Sequence, residues 1–331
     1  MGSAISIVIP LYNKARYISR ALDSVLGQIH QDFEVVVVND GSTDGSEDIV
    51  RRYADPRVRL IHREHVNSEG GHAARNLGIA ESRADLVAFL DADDEWLPEH
   101  LATIVRLSER YPECGAYATA YEIVDGQHRR RRPAFSGIPP SPWEGVIPDY
   151  FCYRLMPVCS SSVAVPKRVF GSVGLFPEGV GRSGDSYMWW RIALKYRMSA
   201  STRTGAVYHH DAGNRAGDRY TVAQLRDREQ HLSKLINDAL RSGGLPQGVT
   251  PDGLIEYRNE RSIAVAYSLA ATGNAVGARE LLRAAISTRR HRLMWIRVLA
   301  LSFVPESMQT ALRQIIRRSG AVSEVDTAPE R

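Results

Sequence analysis

The stretch Phe89 to Leu97, "FLDADDEWL", places Asp91, Asp93, Asp94 and Glu95 directly after an apolar run, with no turn residue between them. On an extended chain alternate side chains share a face, so Asp91 and Asp93 point one way and Ala92 the other. Two carboxylates on one face repel each other. A divalent cation with hard oxygen ligands would relieve that repulsion most economically. The competing reading is a strand that ends in a solvated acidic loop before a helix opening near Pro98. Two further groups stand in equivalent places: Pro10-Leu11-Tyr12-Asn13 after the first apolar run, and Asn39-Asp40 after the second.

The elements that must position these residues follow a βα rhythm. Ile5 to Pro10 reads as a buried strand, and Ile18, Leu22, Val25 and Leu26 then recur at helical spacing. Phe33 to Asn39 is a second strand, broken by "DGSTDGS", in which Asp44 and Glu47 have the spacing of a helix N-cap and its N3 partner. Val58 to Ile61 and Leu86 to Leu90 are further strands, with a helix over 71–82 between them. Strands separated by helices predict an α/β fold with a largely parallel sheet covered on both faces. In such sheets ligands bind at the carboxyl ends of the strands, where the Asp, Asn and Tyr residues lie.

Past Cys114 the pattern lengthens into strands over Ala116 to Val124, Ser160 to Val165 and Ser201 to Tyr208. The loop "DGQHRRRRPAFSGIPPSPWEG" between the first two is a surface excursion. It is either simply solvated or a cover in which His128 to Arg132 meet a phosphate or acidic sugar. A helix over 186–197 carries Trp189 and Trp190, one expected in the core and the other as a lid or platform. After Gly217 the chain reads helical. There "AYSLAATGNAVGARELLRAAI" is similar to one tetratricopeptide unit turning at Gly273-Asn274. The expected organisation is a domain over 1–217, a helical C-terminal region over 218–318 and a flexible tail over 319–331.

Composition bounds the class. The 331 residues are 44% hydrophobic and 24% charged, ordinary for a soluble enzyme. Three cysteines form no CxxC pair, which favours reduced thiols in the cytoplasm. No signal peptide or spanning helix is expected, so membrane contact would be peripheral. The net charge is only +4, yet residues 279–318 hold nine arginines against two glutamates. Such a block suits an anionic membrane surface or a phosphorylated acceptor, or else a solvated helix face.

Five ordered motifs, "IVIPLYNKARYISRALDSVLGQ", "FEVVVVNDGSTDGS", "GGHAARNLGIAES", "FLDADDEWLPEHL" and "VFGSVGLFPEGVGRSGDSYMWWRIAL", resemble the inverting glycosyltransferases of family 2. The resemblance spans about Ile5 to Gly213. It implies a GT-A type, Rossmann-like sheet flanked by helices, with the C-terminal helices as an extension. It also implies metal-dependent transfer of a sugar from a nucleotide-diphosphate donor, a UDP-sugar ahead of others, to a carbohydrate, lipid-linked or small-molecule hydroxyl. Residue by residue, Asp93 matches the metal-binding acid and Asp91 the acid that contacts the ribose, with Mn²⁺ or Mg²⁺ as the ion. Asp40 matches the acid that recognises the base. Pro10, Tyr12 and Asn13 line the nucleotide pocket, and Arg75 reaches the nucleotide. Asp185 falls at the general base, a place where it could equally cap a helix. His209 and His210 resemble a Tyr-x-His segment whose histidine meets the metal; His210 is preferred. Gly184 and Tyr187 depart from the family, which has acids at both places.

Other classes fit less well. "IPLYNK" lacks the glycines of a dinucleotide fold, and no GxxxxGK[ST], HExxH or GxSxG occurs. A nucleotidyltransferase leaves the Asp185 segment without a role, and no nucleic-acid partner is expected. Surface-polysaccharide or glycolipid assembly, natural-product decoration and a non-catalytic sugar-nucleotide-binding scaffold remain as settings. The chain would be cytoplasmic or peripheral on the inner face of the membrane.

Overall fold

The computed structural model describes residues 5–64, 71–132, 142–152, 158–178, 184–210, 221–285 and 292–304. The chain divides into two compact units, residues 1–216 with 246–248, and residues 217–245 with 249–331. The expected tail over 319–331 lies outside the described residues, as do Arg289, Arg290, Arg313, Arg317 and Arg318 of the basic block and residues 133–141 of the arginine-rich loop.

The first unit is one mixed sheet with helices on both faces. β1 (Ile5–Leu11), β2 (Phe33–Asn39), β3 (Val58–His62) and β4 (Leu86–Phe89) run parallel in the order β3-β2-β1-β4. The period of two in β1 and β2 decides which helix covers which face. Ile5, Ile7, Ile9, Leu11, Val35 and Val37 join Leu22 and Val25 of α1 (Ile18–Leu26) in the main core. Val36 and Val38 point the other way, against Ala74 of α3 (His72–Glu81). Gly78 lets α3 lie close on the sheet, because a Cβ there would sit 2.3 Å from Val8 Cγ1.

Beyond β4 the order continues through β9 (Val163–Pro166), β6 (Ala116–Val124) and β10 (Met198–His209) to β5 (Glu95–Trp96). The two-residue β7 (Arg130–Arg131) pairs with β6, and β8 (Glu144–Val146) pairs with β10. β9 is antiparallel to both β4 and β6. An antiparallel strand starts where its parallel neighbours end, so the residues before Val163 reach the same edge as the end of β4. These residues, Ser160–Ser162, form a 3₁₀ turn rather than the start of the strand that the sequence predicted.

Four helices complete this unit: α2 (Ser46–Arg51), α4 (His100–Arg110), α5 (Lys167–Val173) and α6 (Gly184–Ala193). The expected cap of α2 shifts by one residue. Gly45, at φ 84°, is the N-cap, and Glu47 turns away to accept from Asn39 Nδ2 at 2.8 Å. Trp189 and Trp190 of α6 are both buried, so the expectation that one serves as a lid is corrected. Trp189 packs edge-on to Phe176, and Trp190 lies 5.7 Å from the Tyr187 ring.

The second unit holds α7 (Val222–Ser242), α8 (Pro251–Ala271), α9 (Ala275–Ala284) and α10 (Arg292–Leu301). Its own core includes Leu225, Ile263, Tyr267, Leu282, Val298 and Leu301. The hairpin between α8 and α9 turns where the sequence placed it. Gly273 takes φ 84°, and Asn274 Oδ1 accepts from Gly277 N at 3.0 Å as the cap of α9. No helix among the described residues is long and apolar enough to cross a membrane.

Candidate active site

The ends of β1, β2 and β4 and the turn before β9 build one edge. The loop after β1 is held by the loop after β2. Asn13 N donates to Ser42 Oγ (3.1 Å) and Asn13 Oδ1 accepts from Thr43 N (2.8 Å), while Asn13 takes the left-handed φ of 50°. Asparagine is one of the few residue types that tolerates that region. Lys14 N then donates to Ser46 Oγ (2.8 Å) and Ala15 N to Asp44 Oδ2 (2.9 Å). "DGSTDGS" is therefore a clamp on residues 13–15. Tyr12 is 44% exposed beside it.

The acids at this edge carry cationic partners within the protein. Asp40, buried at the end of β2, pairs with Arg63, and Asp91 pairs with Arg75, itself buried at the start of α3. Asp93 pairs with Lys14 at 2.8 Å, and Arg20 donates to the Asp93 carbonyl. Pro10 lies beside Gly71, where an added Cβ would meet the proline ring at 3.4 Å. Thus Pro10, Tyr12, Asn13, Asp40, Arg75, Asp91 and Asp93 all belong to this edge.

Asp94 differs from its neighbours. It is fully buried, accepts from His209 N at 2.9 Å and bonds Ser161 Oγ. Burial, then the nearby Asp93 and Asp91, push its carboxyl well above the usual range. Glu95 is held below the usual range, first by its 3.2 Å hydrogen bond to His209 Nε2, and so remains the charged partner. His209 is buried between these two acids, whereas His210 is exposed, its N–H donating to Val124 O at 2.7 Å.

Asp185 opens α6, and its Oδ1 accepts from Ser186 N at 2.7 Å. Its Oδ2 lies 3.4 Å from Ser160 Oγ. The neighbouring Ser161 Oγ accepts from Asp91 N at 3.1 Å, and Ser161 O accepts from Trp96 Nε1 at 2.6 Å. One short turn thus touches Asp185 on one side and the Asp91–Asp94 loop on the other. Sequence reasoning missed these serines. The run "CSSSV" carried the signal, since three consecutive small hydroxyl residues favour local turn hydrogen bonding over a ladder. The departure at Gly184 has a steric reason. A Cβ there would lie 2.5 Å from His72 Nε2, and His72 is buried and stacked on Phe176 with centroids 6.0 Å apart. Tyr187 is buried beside the Trp190 ring.

The donor set suits magnesium or manganese. Such ions take one or two protein carboxylates and fill the remaining places with water and substrate phosphates. Asp91 and Asp93 would supply such oxygens, with side chains 27% and 10% exposed. No closed cage of three His, Cys, Asp or Glu ligands occurs among the described residues, and an ion shared with a phosphate does not require one.

Residues 6–170 match the family model described as glycosyl transferase family 2. An uncharacterized glycosyltransferase of Nostoc sp. is 40% identical over 125 residues, 38% of this chain and 38% of that protein. The chain spans less than half the length of the first curated relatives it matches. Residues 1–349 of S. aureus TarS, solved with UDP-GlcNAc, are similar in fold at TM-score 0.62 and 20% identity, covering 96% of this chain and 87% of that one. The mannosyltransferase PcManGT of Pyrobaculum calidifontis, solved with GDP-Man and Mn²⁺, gives TM-score 0.56 at 21% identity, with 97% and 85% covered.

Proposed function

The chain belongs to glycosyltransferase family 2, and from that membership we propose that it moves a sugar from a nucleoside diphosphate to an acceptor hydroxyl by single displacement with inversion. The observation that carries the reading is the Ser160–Ser162 turn, which supports Asp185 and the Asp91–Asp94 loop together. A base and a donor-binding edge on one short support keep the two halves of a displacement in register.

Asp185 takes the proton of the acceptor hydroxyl as that oxygen attacks the anomeric carbon. The bond from that carbon to the diphosphate oxygen breaks, and the diphosphate leaves with the electron pair. Asp185 is only partly buried at the start of α6, which leaves its carboxylate open to an acceptor. Asp40, oriented by Arg63, accepts from the base, and the Pro10 carbonyl and Tyr12 ring line its pocket. Asn13 fixes the loop that carries Tyr12. Asp91 and Arg75 address the ribose and nucleotide as a pair. Asp93 would hold Mn²⁺ or Mg²⁺ with help from His210, and that ion would neutralise the charge developing on the diphosphate as a Lewis acid.

UDP-sugars are the first donors to test, since TarS was solved with UDP-GlcNAc. A surface polysaccharide or glycolipid is the proposed acceptor class, with the basic C-terminal helices facing anionic lipid. The test is release of nucleoside diphosphate from a panel of nucleotide sugars with Mn²⁺, using water or simple glycosides as acceptors. Turnover by the wild type and its loss in Asp185→Asn are expected. Tight donor binding by a wild type that never turns over would favour a non-catalytic scaffold instead.

A further inference from the structure

Lys14 makes a contact that the proposed chemistry does not use. Its ammonium sits 2.8 Å from Asp93 Oδ2, with side-chain exposures of only 13% and 10%. The contact is built rather than incidental. Ser46 Oγ accepts from the Lys14 amide, Asp44 accepts from the next amide, and Asn13 holds a left-handed turn immediately before it. Two anchors from the segment after β2, with the Asn13 turn beside them, thus deliver one ammonium to the Asp93 carboxylate. A second cation, Arg20, is committed to the Asp93 main-chain carbonyl and leaves the carboxylate to Lys14.

We propose that Lys14 is a placeholder for the divalent cation: it neutralises Asp93 until an ion takes that carboxylate, and so sets how tightly an ion can bind before a nucleotide arrives. This rests on Asp93 as the metal ligand. An ammonium and a dication cannot both approach one carboxylate at bonding distance without strong repulsion. Lys14 must therefore withdraw from Asp93 when the ion enters, and its flexible four-carbon stem allows this without moving the clamped backbone. The free edge then has low affinity for a lone ion, whereas an ion accompanied by a diphosphate brings anionic oxygens that can receive the displaced ammonium.

Two measurements test this. Mn²⁺ binding to the nucleotide-free protein, followed by electron paramagnetic resonance, is expected to tighten about tenfold or more in Lys14→Met, where one repelling charge is gone. It should stay at the wild-type level in Lys14→Arg. In the unaltered protein, amine acetylation read by mass spectrometry should rise at Lys14 when Mn²⁺ saturates the site, and not at other lysines. This second readout decides the matter even if Lys14→Met does not fold. Wild-type Mn²⁺ binding with neither tightening in Lys14→Met nor any change in Lys14 acetylation would overturn the placeholder and leave the metal at Asp93 standing. No Mn²⁺ binding by the wild type, with or without a nucleoside diphosphate, would overturn the metal reading and the placeholder with it.

Discussion

Replacing the Asp185 carboxylate by an amide keeps its shape and its bonds to Ser186 and Ser160 but removes its basicity. Asp185→Asn is therefore expected to lower turnover by roughly 10²–10⁴-fold, the usual worth of a general base, with donor affinity unchanged in a titration. Ser161→Ala acts differently. It removes the hydroxyl shared by the Asp91 amide and the Asp94 carboxyl, so the acidic loop loses its anchor while every proposed catalytic group remains. A fall of roughly 10- to 100-fold in kcat/KM is expected, the cost of reacting groups misplaced by about an ångström. Equal turnover in Ser161→Ala would show that the turn does not align the edge. The placement of Asp40, Asp91 and Asp93 just past strand ends was legible in the sequence, because apolar runs show where the strands stop. The partners Arg63 and Lys14 were not. Their pairing joins loops far apart in the chain, and spacing reports only neighbours along one element.

At the scale of elements, close approach and burial decide. α3 rests on β1 at Gly78, and Gly78→Ala would press a methyl into Val8. Destabilisation of about 1–3 kcal/mol by urea unfolding is expected, as for other overpacked cores. At the start of α4, His100 is fully buried between Trp96 and Thr119, its Nδ1 at 3.0 Å from Thr119 Oγ1. Burial lowers its pKa to about 3 from the ordinary 6.5. The unfolded chain therefore binds a proton between those values that the folded chain refuses. The stability this histidine confers is complete above pH 6.5 and is lost as pH falls toward 3, with a slope of up to about 1.4 kcal/mol per pH unit. Urea midpoints measured at pH 7.5 and 5.0 should show that slope in the wild type and a shallower one in His100→Gln. The boundaries of β2 and β6 were readable from apolar runs set off by turn residues. α5 and the Ser160–Ser162 turn were not, since their residues carry no strong period and their conformation is set by the antiparallel β9 that follows or precedes them. The two tryptophans of α6 were misjudged for a related reason. Adjacent helical positions can both be buried when the helix lies under other elements on two sides, and sequence alone does not count those elements.

At the scale of the whole molecule, each unit has its own apolar core, one under the mixed sheet and one among α7–α10. Calorimetry with donor and Mn²⁺ is expected to move the unfolding of the first unit upward, because a ligand stabilises only the unit that binds it. The βα rhythm and the helical C-terminal region could be anticipated from periodicity. The sugar that the donor carries could not, because the acids at the strand ends address nucleotide and ion rather than the hexose. The most direct test of the central claim is a thermal-shift panel of UDP-, GDP-, dTDP- and CDP-sugars, each with and without Mn²⁺, on the wild type and on Asp93→Ala. The expected result is one nucleotide class that raises the melting temperature only with Mn²⁺, by an amount equivalent to about 2.7 kcal/mol at a hundredfold excess over Kd, with the effect lost in Asp93→Ala. A panel in which no nucleotide sugar shifts the wild type under any metal condition would contradict the account.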